Sequence, residues 1–325
     1  MLAVSTEDMQ RQSDWRFHAA SYRPSLPARA FRVSYWPVWG LIAILRVCVW
    51  LPRRVTMRMG AWLGAAFYRF NKKRRDIAGI NIDLCFPGIP KAQRVQMVRS
   101  HFYVYGQSVI DLGLIRWASE TRLRRIVTFY GEDRLQRLMD TGNSVMLITP
   151  HSVGMDFGGV MLSRIQPTIS MMKSLNNPPL DWFFAGSRTR FGLTLVLREQ
   201  GLRPLIKALK NRYACYYIPD EDFGADRSIF VPFFGVPTAT ITTVGRMAAM
   251  TGAKVVPCIT RLRADDGRYE VYIESALDDF PTGDAIADAA RMNAAFEALI
   301  RPAPEQYMWT LRWFKTRPRG EQSPY

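Results

Sequence analysis

The pattern of apolar and polar positions divides the chain into three stretches. Residues 1–32 are polar and lack the basic start, apolar core and small-residue cleavage site of a secretory signal. An apolar run then covers residues 33–51, with Trp36, Trp39 and Trp50 as interfacial anchors; Pro37 starts it and Arg46 interrupts it. It leaves about 17 to 19 residues, the lower limit for a membrane-spanning helix, with Arg46 reaching toward head groups from near one end. Met59, Trp62, Leu63, Ala66, Phe67 and Phe70 follow at helical spacing. An in-plane helix on a bilayer and a packed core helix fit that spacing equally.

Beyond Pro87 short apolar runs alternate with helical periodicity. The runs predict strands over 126–130, 144–149, 168–172, 214–219, 254–261 and 269–273. Helices are predicted over 91–114, 132–139, 156–164, 203–210, 240–250 and 284–299. Strands separated by helices imply an α/β sandwich around a mostly parallel or mixed central sheet. With no internal repeat and no low-complexity linker, residues 72–325 read as one domain, behind the tail (1–32) and a membrane-anchoring and juxtamembrane segment (33–71).

Charge sharpens this picture. The chain has 325 residues, 44 Lys and Arg against 28 Asp and Glu, and a net charge of +16. Such a balance calls for an acidic partner. Nucleic acid is a poor match, because no zinc spacing, aromatic RNP-like strand or recognition helix accompanies the charge. Anionic lipid head groups or an acidic carrier protein suit basic residues interleaved with aromatics, and a soluble basic surface without a specific partner is the plain alternative. Arg53, Arg54, Arg58 and Lys72-Lys73-Arg74-Arg75 follow the apolar run, so the bias of positive charge keeps the C-terminal domain on the cytoplasmic side. Cys48, Cys85, Cys215 and Cys258 have no paired spacing, so neither a disulfide nor a metal site is expected.

Candidate chemistry concentrates in Thr149-Pro150-His151-Ser152-Val153-Gly154-Met155-Asp156, directly after a buried-strand pattern. A histidine and a carboxylate at a strand end, where the chain turns into a helix, occupy the usual place for a site in an open α/β sheet. Neutral imidazole near pH 7 can take the proton of an attacking hydroxyl, and a carboxylate can fix its tautomer and stabilise the cation. Five positions on one unbroken helix would set the two side chains about 140° apart. A turn through Ser152-Val153-Gly154 is therefore expected, with Asp156 in the first helical turn behind it. His151 is the candidate base of an acyl-transfer centre and Asp156 its orienter. A turn-capping histidine and a helix-capping aspartate account for the same residues without catalysis. His18 lies in the polar tail, and His101 lies in a helical pattern that favours a packed or surface role.

Other stretches carry a resemblance. Lys73-Arg74-Arg75 with Asn81-Ile82-Asp83-Leu84-Cys85-Phe86-Pro87, then residues 151–156, then Pro219-Asp220-Glu221-Asp222-Phe223-Gly224 occur in a familiar order. So do Phe230-Val231-Pro232-Phe233-Phe234-Gly235-Val236-Pro237-Thr238-Ala239-Thr240, and Pro304-Glu305-Gln306-Tyr307-Met308-Trp309 through Phe314-Lys315-Thr316-Arg317-Pro318. From about Trp36 to Tyr325 the chain resembles the late acyltransferases of lipid A biosynthesis, the lauroyl/myristoyl transferases. The resemblance implies a glycerol-phosphate acyltransferase-like fold and an arginine with an active-site role about where Arg188 stands. Many members carry glutamate at the position of Asp156, which changes the reach by one methylene.

Arg188 and Arg190 flank a turn-like Gly186-Ser187, and a guanidinium fork suits an anionic acceptor; a solvated basic face is the alternative, more so for Arg190. Asp220 and Asp222, after a strand end, either position the acceptor, support a basic side chain, or make Asx turns. Residues 230–235 are either an acyl-chain wall or plain core. Tyr307 to Lys315 reads as packing against the domain with basic groups toward the membrane. The function expected is O-acyl transfer from acyl carrier protein to a hydroxyl of a lipid A precursor, at the cytoplasmic side of the inner membrane. It needs no cofactor, because a thioester is already activated. A glycerolipid or lysophospholipid acyltransferase is the alternative within the class, and a non-catalytic basic membrane-associated protein the alternative outside it.

Overall fold

A computed structural model describes residues 20–325. Nine strands lie in it: β1 (Val127–Tyr130), β2 (Val145–Ile148), β3 (Thr168–Met172), β4 (Thr194–Leu197), β5 (Ala214–Tyr217), β6 (Ile229–Phe233), β7 (Val236–Thr240), β8 (Lys254–Leu262) and β9 (Tyr269–Ile273). Seven form one sheet in the order β1-β9-β8-β2-β5-β3-β4, with every neighbouring pair parallel except β8 and β9. Strand β2 is central and buried along its length. Met146 and Ile148 pack into one apolar cluster, Val145 and Leu147 into the other. Both faces are covered, so the strand reads as an unbroken apolar run instead of an alternation.

Eleven α-helices are described: α1 (Trp36–Cys48), α2 (Arg53–Phe70), α3 (Lys72–Cys85), α4 (Lys91–Trp117), α5 (Glu120–Ile126), α6 (Glu132–Asp140), α7 (Met155–Leu162), α8 (Pro178–Arg188), α9 (Arg203–Lys210), α10 (Thr243–Thr251) and α11 (Ala285–Ile300). Residues of α3, α9, α10 and α11 and of the C-terminal tail cover one face of the sheet. Residues of α4, α5, α6 and α7 cover the other. Helix α2 lies tightly on α4. A Cβ on Gly64 would overlap the Phe102 carbonyl, and one on Gly106 would overlap the Gly60 carbonyl, so glycine alone permits the approach.

The six predicted strands and six predicted helices are present within a few residues. The short edge strand β4, the hairpin β6–β7 and helices α3, α5 and α8 were not among those predictions. The hairpin turns through Phe234 and Gly235, both at positive φ, between the closing pair Phe233 and Val236. Its second strand claims Thr240, and the predicted helix starts only at Thr243. Gly186 and Ser187 are helical, inside α8, not a turn.

Residues 33–51 do not form one continuous helix. They form a 3₁₀ turn at Val33–Tyr35, then α1, which ends at Cys48. Thirteen residues rise about 20 Å, against about 30 Å of hydrocarbon. Among the described residues no helix is long and apolar enough to cross a membrane. Helix α1 buries Ile42 and Leu45 against Phe183 and exposes Trp36, Leu41, Ile44 and Val47. Arg46 stacks on the Trp50 and Trp117 rings, 4.6 and 5.5 Å from their centroids.

Candidate active site

Adjacent parallel strands β2 and β5 end side by side, and the loop after each carries a titratable group. The ladder continues one bond further, Thr149 N–H to Tyr217 O at 3.0 Å, which fixes the two loops against each other. His151 Nδ1 then meets Asp220 Oδ1 at 2.5 Å, and the His151 backbone N–H donates to Asp220 Oδ2 at 2.8 Å. Tyr307 hydroxyl donates to the same Oδ2 at 3.1 Å. Both groups are largely enclosed, with side chains 13% and 7% exposed.

The C-terminal tail forms the back of this site. Met308 N–H donates to His151 O, Val153 N–H to Gln306 O, and the Trp313 ring lies 5.7 Å from the imidazole, stacked in turn on Tyr307. Asn81 holds the tail in place, donating to Trp309 O and Leu311 O at 2.7 Å each. Thus the Asn81, His151, Asp220 and Tyr307 stretches, far apart in sequence, meet at one place.

Asp156 is not the carboxylate on His151. It sits in the first turn of α7 as expected, but its partner is Arg188, with Nε to Oδ1 at 2.7 Å and Nη2 to Oδ2 at 3.4 Å. The orienting position on Nδ1 belongs to Asp220, which the sequence offered for positioning the acceptor or supporting a basic side chain without linking it to His151. Proximity along the chain favoured Asp156, whereas pairing of β2 with β5 brings Asp220 closer from 69 positions away. Glu221, which the sequence reading passed over, lies 3.7 Å from His151 Nε2 and is held by Arg198 at 2.7 Å. Asp222 makes an Asx turn with Gly224 N–H and accepts from Thr316 N–H, so both oxygens serve the loop and tail. Arg190 donates to Ile115 O and lines a separate recess behind α8.

A cavity of about 440 Å³ opens in front of His151. Met155, Met171, Met172, Leu175, Phe184, Leu202, Phe223 and Ile241 supply its apolar wall, and Arg188, Arg198, Glu221 and Lys173 its charges. Residues 230–235 do not line it; Val231, Phe233 and Phe234 are buried core. His101 is buried in α4, its Nδ1 2.9 Å from Glu305 O, and burial lowers its pKa to about 4. It is a packed histidine. His18 lies outside the described residues.

Electrostatics distinguishes the two histidines. Burial is the largest single influence on His151 and disfavours its cation, but Asp220, by charge and hydrogen bond, and Glu221 outweigh it against the opposition of Arg188. The imidazole therefore sits above its ordinary 6.5. Burial and the Asp220 charge push the Tyr307 hydroxyl well above 10.0, so it stays a donor to Asp220. An imidazole with one nitrogen locked on a carboxylate and the other beside an apolar cavity can accept a proton from a nucleophile there and later return it.

The profile of the bacterial lipid A biosynthesis acyltransferases matches residues 28–316. A lipid A biosynthesis acyltransferase of Haemophilus influenzae is 34% identical over 89% of this chain and 90% of its own length. The lipid A biosynthesis lauroyltransferase of Escherichia coli is 33% identical over 93% and 99%. The myristoyltransferase of the same bacterium is 29% identical over 94% and 95%. With most of its length matched in each comparison, the chain belongs to the bacterial lipid A biosynthesis acyltransferase family.

Proposed function

We propose that the protein transfers a fatty acyl group from acyl carrier protein to a hydroxyl of a lipid A precursor, with His151 as general base. The observation that carries this reading is the enclosed His151, locked at Nδ1 by Asp220 beside an apolar cavity. The acyl chain occupies that cavity and its thioester carbonyl lies near His151. As the acceptor oxygen attacks the carbonyl carbon, Nε2 takes its proton and Asp220 stabilises the imidazolium. The thioester C–S bond breaks as the tetrahedral intermediate collapses, and the imidazolium returns the proton to the leaving thiolate. Arg188, fixed by Asp156, turns its remaining N–H donors to the oxyanion; preorganised donors of this kind contribute strongly in a water-poor site. Asp156 is thus a positioning residue for Arg188, and Glu221 accepts from the incoming hydroxyl or the imidazolium.

Membrane placement is part of the reading. Apolar side chains left exposed on α1 and α2, with Trp36 and Trp62 at 63% and 81% exposure, support in-plane docking on the cytoplasmic side of the inner membrane.

The test is transfer by the purified protein from acyl carrier protein thioester to a lipid A precursor and, in parallel, to lysophosphatidic acid. Activity on the precursor that falls by about 10²–10⁴ in a folded His151→Ala protein is expected. Preference for lysophosphatidic acid would move the enzyme to glycerolipid synthesis, and unchanged turnover in His151→Ala would remove the base from the mechanism.

A further inference from the structure

Behind α8, on the side away from His151, lies a second cavity of about 300 Å³ lined by Arg23, Arg116, Trp182, Gly186 and Arg190. Residues 186 and 188 are about 200° apart around a helix, so α8 presents Arg188 to the active site and Gly186 to this recess. Three elements bring the cations together. Arg116 comes from the last turn of α4, and Arg190 follows α8. Arg23 comes from an N-terminal strap, where Tyr22 N–H donates to Leu195 O and Tyr22 hydroxyl to Asp181 at 2.5 Å.

None of the three guanidinium groups has a carboxylate ion-pair partner among the described residues. Arg116 stacks on Trp182, 4.6 Å from the ring centroid, and its buried Nε has no hydrogen-bond partner. Glu120, the acid whose charge reaches Arg190, is itself held by Arg124 and Arg164. Burial, and for Arg116 the neighbouring Arg190, holds both groups below the ordinary arginine value. The recess is therefore a preformed concentration of positive charge with donors left over. Gly186 leaves it open, because a Cβ there would stand 3.0 Å from the Arg116 guanidinium carbon.

We propose that Arg23, Arg116 and Arg190 bind a phosphate group of a lipid head group, holding the acceptor or the bilayer lipid beside α8. The inference rests on the acyl-transfer reading for its setting, and on its own residues for the ligand. Phosphate suits the site because planar guanidinium forks match its oxygens, and the half-buried Arg116 fork, stacked on Trp182, loses little freedom on binding. The strap and Trp182 place the recess next to α1, since Trp39 of α1 lies 5.9 Å from Trp182. A head group beside the exposed apolar side chains would enter there.

The experiment compares wild type, Arg116→Gln, Gly186→Ala and a surface control, Arg125→Gln, as full-length protein. Binding of a phosphorylated lipid A precursor and of its phosphatase-treated form is measured directly, without turnover, alongside kcat/KM for both. In Arg116→Gln the affinity for the phosphorylated form should fall about tenfold or more, with no change for the dephosphorylated form. Gly186→Ala, which crowds the guanidinium, should show the same selectivity while folding normally. A second arm measures flotation with phosphatidylglycerol vesicles and with vesicles of a phosphate-free glycosyl diacylglycerol. Selective loss on phosphatidylglycerol, with the precursor unaffected, would assign the phosphate to the bilayer. Equal effects on all lipids, or effects matched by Arg125→Gln, would overturn the proposal. Because binding is read without transfer, a protein that acylates another acceptor would sink the functional reading and leave this result standing.

Discussion

Asp220→Asn is the substitution that separates the two carboxylates near His151. It keeps the shape of the side chain and removes the charge that lifts the imidazole above 6.5. With burial and Arg188 then opposed by Glu221 alone, the His151 pKa should drop. The base must be neutral to act, so the acid limb of kcat/KM, expected above pH 6.5 in the wild type, should move to lower pH. The rate should fall by roughly 10²–10⁴ as the tautomer is lost. A pH–rate profile measures both, and an unmoved acid limb would assign that limb to another group. Asp156→Asn should impair transfer differently, by loosening Arg188, and should leave the limb closer to the wild-type position. Asp156→Glu should keep appreciable activity if one more methylene still reaches Arg188. Full activity in Asp156→Asn would reduce Asp156 to a helix cap.

Packing of α2 on α4 makes a prediction at the level of elements. Gly64→Val should lower stability by about 1–3 kcal/mol, because the added carbons have no space between the two backbones. Thermal unfolding checks it, and an unchanged Tm would mean that α2 shifts freely on α4. Elements of this fold were readable where one period dominates: β2 as a continuous apolar run, α9 and α11 as 3.6-residue patterns. The hairpin β6–β7 was not, because its turn uses Phe234 at positive φ, a conformation residue identity does not advertise. Its N–H is satisfied by Glu297 of α11 at 2.6 Å, a partner 63 positions away. Helix α8 was hidden because Gly186 and Ser187 carry turn propensity that tertiary packing overrides.

For the whole molecule the net charge of +16 and the exposed apolar side chains make separable predictions. Trp62→Glu and Ile44→Glu should weaken flotation with anionic vesicles while changing stability by no more than about 0.5 kcal/mol, as both side chains are exposed. Retained flotation in the double variant would argue that these side chains do not meet the bilayer. Apparent affinity for carrier protein should weaken as salt rises, since the Debye length contracts from about 10 Å at 0.1 M to about 3 Å at 1 M. Charge reversal at Lys72 and Lys73, both exposed, should reduce membrane association and spare turnover of a detergent-dispersed acceptor at saturation. Lost turnover with normal membrane binding would instead put these lysines in the site.

By itself the sequence determined an α/β sheet, the strand-end position of His151, and the ordered stretches that mark the family. Each is a local property, carried by apolar periodicity or by residues adjacent in the chain. Only the tertiary structure decided which carboxylate serves which cation. Asp156 is five positions from His151 yet pairs with Arg188, while Asp220 reaches His151 through the parallel pairing of β2 and β5. It also decided that residues 33–51 break into a 3₁₀ turn and a helix of 13 residues, with α1 packing Ile42 and Leu45 against Phe183. Strand order and helix docking are sums over many distant contacts, and no window of sequence contains them.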